Sequence, residues 1–407
     1  MGLAPGAEAS VNLDADVLIA GGGYSAQIAA RELLAHGFSV TMVDRRTRPG
    51  WPPQSTSGLA RAWIERFDLP VMGESTPITS FRVIGPGGEQ AMLGGGLLGE
   101  VGDTMVEPDL LARMERASVA QGLLSFHNST VMRSVRSNGV WSSTVRNPDR
   151  VFRSRYVFDA TGFQAWVARQ AGLAHDLGPE DAHGGVEVTV PRPAAHPQGE
   201  VRMWLGHRVA PWGYAWAFPS TENGLPHVRV GIGTPRAVPD SAGIWFTRFL
   251  AAHPEYAGSV HHRVGGIIPT APVSKVLQRD GLFLLGDAAR LCCPLTGGGI
   301  LGALASGDAA AHAVVEDAPE TYPDKIGWLV RELRTRWMLK QIVYGLNDAE
   351  LGRLVRFLGD IDLPSDGSVN PLRERRRVTR KLIRSDPGIV LSLFTRGRLM
   401  RALLPAG

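Results

Sequence analysis

Cysteine is nearly absent from this chain. Its 407 residues include two, Cys292 and Cys293, and they are neighbours. Adjacent cysteines rarely reach disulfide geometry, so there is no disulfide framework, and there is no cysteine-based zinc spacing either. The pair reads as two small buried hydrophobes. Lysine is scarce as well: Lys275, Lys325, Lys340 and Lys381 are present, and arginine supplies the rest of the 43 basic residues. Against 39 acidic residues the net charge is +4, too small to recruit nucleic acid, and no aromatic-and-basic RNA-binding motif accompanies it. No apolar run approaches the roughly 18 residues that span a bilayer. Residues 1–15 lack the basic start and apolar stretch of a signal peptide, so a reducing, cytoplasmic location is expected. His261 and His262 have no carboxylates at ligand spacing, so no metal is expected. What remains, 44% hydrophobic and 20% charged, is an ordinary globular composition with length for roughly two or three domains. Oligomeric state is left open.

The stretch over 16–46 organises the rest. An apolar run (Val17, Leu18, Ile19, Ala20) leads into Gly21-Gly22-Gly23. Ile28, Ala29, Leu33 and Leu34 then recur at helical spacing, Gly37 ends that helix, and a second apolar run over 40–43 closes on Asp44. This is strand, tight turn, helix, strand, with a dinucleotide fingerprint. Gly21 permits the sharp turn. Gly23, lacking a Cβ, lets a pyrophosphate lie against the backbone. Ala26 takes the place of the usual third glycine. Tyr24 and Ser25 open the helix whose N–H groups hold phosphates. Asp44 accepts from ribose hydroxyls, with Arg45 beside it.

A second strand, over 151–158, runs into Asp159-Ala160-Thr161-Gly162, and ligands in open parallel sheets sit beyond such strand ends. A third strand, over 281–285, delivers Gly286 and Asp287. The loop Pro294-Leu-Thr296-Gly297-Gly298-Gly299 follows, and then a helix from Ile300 over 300–315, rich enough in Ala and Gly to pack on something flat. An acid at Asp287 suits a ribityl or ribose hydroxyl. A glycine loop before a helix N-terminus suits the charged edge of a reduced flavin. A nicotinamide dinucleotide does not need this second half of a site, whereas FAD does.

Between these segments lie alternating patterns over 183–233 that predict an antiparallel sheet. Trp204, Trp212, Tyr214, Trp216 and Phe218 form an aromatic run in it, and alternation puts the last three on one face. The expected organisation is FAD-binding domain over 1–80, substrate-domain strands over 81–105, FAD-binding domain over 106–182, substrate domain over 183–275, FAD-binding domain over 276–318 and a helical region over 319–407. Helices are expected over 331–343 and 348–358, a linker over 364–370, a basic segment over 373–383 and an apolar one over 390–404. The basic segment is a solvated face or a peripheral contact with an anionic membrane.

The fingerprint at Gly21, the GD strand and the PLTGGGI loop resemble those of the FAD-dependent oxidoreductases that include p-hydroxybenzoate hydroxylase-like monooxygenases, flavin halogenases and geranylgeranyl reductases. GYAWAFP over 213–219, VRVGIG over 228–233 and a helical C-terminal region are most similar to the geranylgeranyl reductase-like branch. The resemblance covers about 15–360. It implies an α/β fold, a Rossmann-type FAD-binding domain with an inserted antiparallel-sheet substrate domain and a helical C-terminal extension. It implies FAD held by Gly21, Gly23, Tyr24, Ser25, Ala26, Asp44, Arg45, Thr161, Gly162, Gly286, Asp287, Pro294, Thr296, Gly297, Gly298, Gly299 and Ile300. Tyr214, Trp216 and Arg290 are the catalytic candidates, and Phe218, His207 and Trp212 the substrate-facing ones. The implied reaction is hydride transfer to an alkene of an apolar small molecule, as a tailoring step in natural-product biosynthesis, with NAD(P)H or reduced ferredoxin as electron donor. Flavin monooxygenation (hydroxylase or epoxidase) and a non-redox cyclase with structural FAD are the alternatives. Two departures from that branch stand out. Before the glycine loop stands Arg290-Leu-Cys-Cys, where relatives often have histidine or a small residue. The loop after the first unit, Trp51 to Gly58, lacks the cysteine that branch members often carry. The halogenase pattern fails, because no lysine precedes Lys275 and Trp212 and Trp216 are four apart.

Overall fold

The computed structural model describes residues 12–70, 75–93 and 102–360. The expected linker over 364–370, the basic segment over 373–383, the apolar segment over 390–404 and most of the glycine run before 102 lie outside the described residues. The first strands are β1 (Ala15–Ala20), β2 (Val40–Val43), β3 (Gly58–Ala60), β4 (Thr76–Pro77), β5 (Ser80–Ile84), β6 (Gln90–Leu93) and β7 (Gly102–Thr104). Then come β8 (Leu124–Phe126), β9 (Thr130–Ser137), β10 (Val140–Arg146) and β11 (Arg150–Asp159). The remainder are β12 (Ala182–Pro191), β13 (Glu200–Leu205), β14 (Tyr214–Glu222), β15 (Leu225–Pro235), β16 (His262–Pro269), β17 (Gln278–Arg279) and β18 (Leu282–Leu284). The helices are α1 (Tyr24–Ala35), α2 (Arg61–Arg66), α3 (Glu107–Ala120), α4 (Trp166–Gln170), α5 (Ala242–Ala252), α6 (Ile300–Val315), α7 (Tyr322–Lys325), α8 (Gly327–Tyr344) and α9 (Asp348–Gly359).

The first sheet runs β17-β18-β11-β1-β2-β8. Its centre is parallel: β1 pairs with β2 and β11, and β11 pairs with β18. β1, β2, β18 and the last four residues of β11 are buried almost without interruption, as covered parallel strands must be, so they read as apolar runs, whereas the first part of β11 alternates. The β9–β10 hairpin extends β11 antiparallel. The strands over 15–20, 150–159 and 282–284 therefore end side by side. Their three turns, at Gly21, Thr161 and Gly286, form one rim.

The second sheet runs β16-β12-β15-β14-β13-β5-β6. It is antiparallel except where β13 lies parallel to β5. β7, expected among the same strands, pairs instead with β3 and β4 in a small third sheet. One face of the second sheet is covered by α5, which the sequence reading missed. Phe246 and Phe249 of α5 pack there with Trp204 and Tyr256. Trp204 opposes Ala215, so it faces away from Tyr214 and Trp216 and is core.

α6 does not pack on a flat surface. It crosses α1, and its small residues allow that approach. A methyl on Gly307 would meet Ser25 O at 2.3 Å, and one on Gly302 would meet Leu291 O at 2.1 Å. The C-terminal helices tie both sheets together. α8 sends Leu329 and Leu333 into the first core, and α9 sets Val355 against Val83, Ala91 and Leu93 of β5 and β6. Among the described residues, no helix is long and apolar enough to cross a membrane.

Candidate functional site

The rim of the first sheet is built by close backbone contact. Gly21 sits at φ +107°, and a Cβ there would lie 2.2 Å from Ala160 O. No L side chain fits, so β1 and β11 turn against each other only with glycine. Gly23, by contrast, has nothing within 4 Å of its would-be Cβ. Its constraint comes from no protein atom, which is what a ligand lying on the backbone requires. A methyl on Gly286, at φ +51°, would lie 3.7 Å from Ser25 Oγ. The Gly21 fingerprint and the Gly286–Asp287 turn, far apart in sequence, thus meet at the start of α1.

Both helices that open on this rim lack a side-chain cap and an acidic residue in the first turn. α9 carries a complete Asn347–Glu350 capping box. Uncapped N-termini leave N–H groups and partial positive charge directed outward, an anion site.

Asp44 is buried and accepts from Arg46, from the backbone N–H at 3.1 Å and from Nε at 2.9 Å. Arg45, the expected neighbour, is exposed; the sequence reading was one residue short. Oδ2 of Asp44 lies where a Cβ on Gly22 would be, at 2.5 Å, so the carboxylate is set against the glycine turn. Asp287 is different. Its carboxylate has no hydrogen-bond donor among the described residues, and desolvation pushes its pKa up to about 6. An acceptor kept without a donor on this rim fits a ribityl or ribose hydroxyl. Asp159 and Thr161 form a local cap: Asp159 accepts from Thr161 and from Ala168 N–H at the start of α4. Gly162 follows at φ +72°.

The loop over 293–299 closes on itself through Cys293 N–H to Gly298 O and Gly297 N–H to Cys293 O. Pro294 is buried, Gly298 is exposed, and Gly299 leads into Ile300. Two tyrosines tether this loop. Tyr214 of β14 donates to Thr296 O, and Tyr344 of α8 donates to Leu295 O at 2.6 Å. Burial pushes both phenols well above the ordinary range, so both stay neutral donors. Gly297, at φ +68°, would bring a methyl within 3.4 Å of Ile268. The second sheet therefore lays Tyr214 and Ile268 on the glycine loop.

Tyr214, Trp216 and Phe218 share that sheet face. Tyr214 and Trp216 have ring centroids 5.5 Å apart, and a Cβ on Gly58 would meet Phe218 at 3.1 Å. Gly231 makes room for the Trp216 indole, with a would-be Cβ 2.4 Å from it. Trp216 Nε1 donates to Glu187 at 2.7 Å, and Thr56 donates to the same carboxylate at 2.6 Å. The cysteine-free loop after β2 is thus pinned to the wall through Thr56. Glu107 pins it from the other side, accepting from Gln54 and Ser55 N–H.

Three candidates stand elsewhere. His207 bonds Leu346 O and Asp348, at the junction with α9. Trp212 is half exposed, and its carbonyl accepts from His183. Arg290 donates to His175 O, at the far end of the Gly286 turn. None of the three joins the aromatic face. Below the loop the sequence reading missed a buried polar group. Lys340 donates to Thr270 O and Oγ1 at 3.1 and 2.9 Å, and Thr270 Oγ1 meets His183 Nδ1 at 2.6 Å. Burial lowers Lys340 to about 8, and burial with the Lys340 charge lowers His183 to about 4. On the α1–α6 surface Glu32, Asp308 and His312 bring three donors within 4.8 Å of one another. Arg31 already holds Glu32 at 2.7 Å and His312 faces Asp308 at 3.6 Å, so this is an ion-pair group.

No protein-family model matches the chain. It is 26% identical over 397 residues to digeranylgeranylglycerophospholipid reductase 1 of Methanococcoides burtonii, covering 90% of this chain and 93% of that one. It is 28% identical over 384 residues to digeranylgeranylglycerophospholipid reductase 2 of Methanothermobacter thermautotrophicus, covering 88% and 95%. Its fold is similar to that of a geranylgeranyl bacteriochlorophyll reductase-like protein from Thermoplasma acidophilum, with TM-score 0.81, 23% identity and coverage of 94% and 99%. Glycine-lined rim, uncapped helices, unmatched Asp287 and near full-length relatives agree: the chain is a flavin-dependent oxidoreductase that resembles the geranylgeranyl reductase-like proteins.

Proposed function

We propose that this protein reduces isolated alkenes in an isoprenoid chain. The observation that carries the reading is the aromatic face of β14, fixed on the glycine loop through Tyr214 and Thr296 O. A flat, apolar wall against that loop suits a hydrocarbon lying over a flavin, and near full-length likeness to digeranylgeranylglycerophospholipid reductases supports the same reading. Bound FAD would supply hydride chemistry. The residues that would hold it are Gly21, Gly23 and the α1 N-terminus for the pyrophosphate, Asp44 and Asp287 for sugar and ribityl hydroxyls, and the 294–299 loop with the α6 N-terminus for the ring.

The chain's own part is to bind, orient and exclude water. Tyr214 and Tyr344 hold the loop from two sides, so its backbone keeps one shape. Trp216 and Phe218 extend the wall. The substrate is an apolar small molecule carried in lipid, and the basic segment over 373–383 would meet the anionic surface that carries it. Electrons come from NAD(P)H or reduced ferredoxin. A place in natural-product tailoring remains part of the proposal.

The test is anaerobic. Protein loaded with FAD is reduced with dithionite, freed of excess reductant and mixed with detergent-dispersed digeranylgeranylglycerophospholipid. The reading requires the yellow flavin absorbance to return with the lipid and not without it. Return of colour only on admitting air, with oxygen added to the lipid, would favour a monooxygenase. Conversion that is indifferent to flavin redox state would favour a cyclase.

A further inference from the structure

One carboxyl group stands on the aromatic wall and takes no part in the cofactor clasp. Glu187 of β12 is 6% exposed. It opposes Val264 on β16 and Gly231 on β15, and Gly231 opposes Trp216 on β14. Residues directly opposed across paired strands share a face, so Glu187 shares the face of Trp216 and, two residues along, Tyr214. Both donors that reach Glu187 use one oxygen. Trp216 Nε1 and Thr56 Oγ1 bond Oε2, and Oε1 has no hydrogen-bond partner among the described residues. Glu187 also borders a cavity walled by Trp51, Pro53, Val106, Pro108 and Val264.

The other titratable groups on that cavity are Glu222, Arg229 and His262. Arg229 holds Glu222 at 3.1 Å and also donates to the carbonyls of Thr56 and Met105. Glu187 is therefore the cavity's carboxyl without a cation. The indole N–H can only donate, and the Thr56 hydroxyl is oriented to donate as well. A proton carried by the carboxyl then resides on Oε1.

We propose that Glu187 is the proton donor for alkene reduction, with the alkene lying between the 51–55 loop and this sheet face. The inference rests on the alkene-reduction reading above. In the step, the Oε1–H bond breaks and a C–H bond forms at one alkene carbon, using the π pair. The other carbon receives the hydride that reduced FAD supplies. The alkene is reduced by two electrons and the flavin oxidised by two. Glu187 is left as a carboxylate whose charge the Trp216 and Thr56 hydrogen bonds hold until water returns the proton.

The test is single-turnover reoxidation of the FAD-loaded, reduced protein by digeranylgeranylglycerophospholipid, in wild type and Glu187→Gln. The amide keeps an acceptor for Trp216 and Thr56 and loses the acid. The variant should hold FAD, bleach with dithionite and recolour in air as wild type does, yet react with the alkene at least about 100-fold more slowly, the usual share of a general acid. Reaction within about threefold of wild type would overturn the assignment. Should Glu187→Gln fail to hold FAD, Thr56→Val carries the test. The valine leaves the acid in place and removes one of the two donors that hold the carboxylate after transfer, so the single-turnover rate must fall. An unchanged rate overturns the assignment. If wild type itself is not reoxidised by the alkene, the alkene-reduction reading falls and takes the assignment with it.

Discussion

Asp287→Asn separates stability from cofactor binding. Asp287 has a pKa raised from 3.8 to about 6 by desolvation, and no donor among the described residues relieves it. The folded chain therefore holds this proton more tightly than the unfolded one. Below about pH 4 the group is neutral in both folded and unfolded chains. As pH rises through about 6 the unfolded chain has already released the proton and the folded one resists, so stability falls. A shift of about two units, at about 1.4 kcal/mol each, sets an upper bound near 3 kcal/mol. Partial exposure of the residue reduces that to about 1–2 kcal/mol. The asparagine variant carries no such charge. In the absence of FAD it should match wild type near pH 4 and exceed it by about 1–2 kcal/mol near pH 8 in urea unfolding followed by fluorescence. With FAD the order should reverse. The carboxylate is a charged acceptor for a hydroxyl, worth about 1.5–3 kcal/mol, so the variant should bind FAD about tenfold or more weakly. A stability difference that is flat across that pH range would refute the reasoning, as would unchanged FAD affinity.

Gly307→Ala should cost about 1–3 kcal/mol of stability by forcing α6 off Ser25, and should weaken FAD binding because Ser25 opens α1; calorimetry and FAD titration check both. Tyr214→Phe leaves Thr296 O without its donor, so FAD affinity should fall by about 1 kcal/mol, read by flavin fluorescence. Lys340, lowered from 10.5 to about 8, binds fewer protons when folded, so wild-type stability should rise with pH across that window. Lys340→Met should abolish the rise, measured as urea midpoints at about pH 7 and about pH 10.

The glycine-lined rim was legible because it is local. Gly21, Gly23 and Asp44 lie in one βαβ unit, and strand period, glycine spacing and helix period all sit within about 30 residues. Gly286–Asp287 and the 294–299 loop were legible for the same reason. The substrate side was legible only in part. Alternation placed Tyr214, Trp216 and Phe218 together, but nothing local tells which loop they face. The Thr56–Glu187–Trp216 group joins three segments 131 and 29 residues apart, and the Lys340–Thr270 contact spans 70. Those pairings are set by sheet order and by where α8 docks, which no periodicity records. His207, Trp212 and Arg290 show the converse. Their residue types suit a site, but backbone carbonyls and the α9 junction hold them elsewhere. α5 was missed although Phe246 and Phe249 fall at helical spacing, because the surrounding alternation invited strands.

Mass analysis of the lipid after one anaerobic turnover bears most directly on the central claim. The account predicts that each flavin oxidised leaves one alkene carrying two added hydrogens, one of them from solvent. Lipid that is unchanged in mass, or that has gained oxygen, would contradict it.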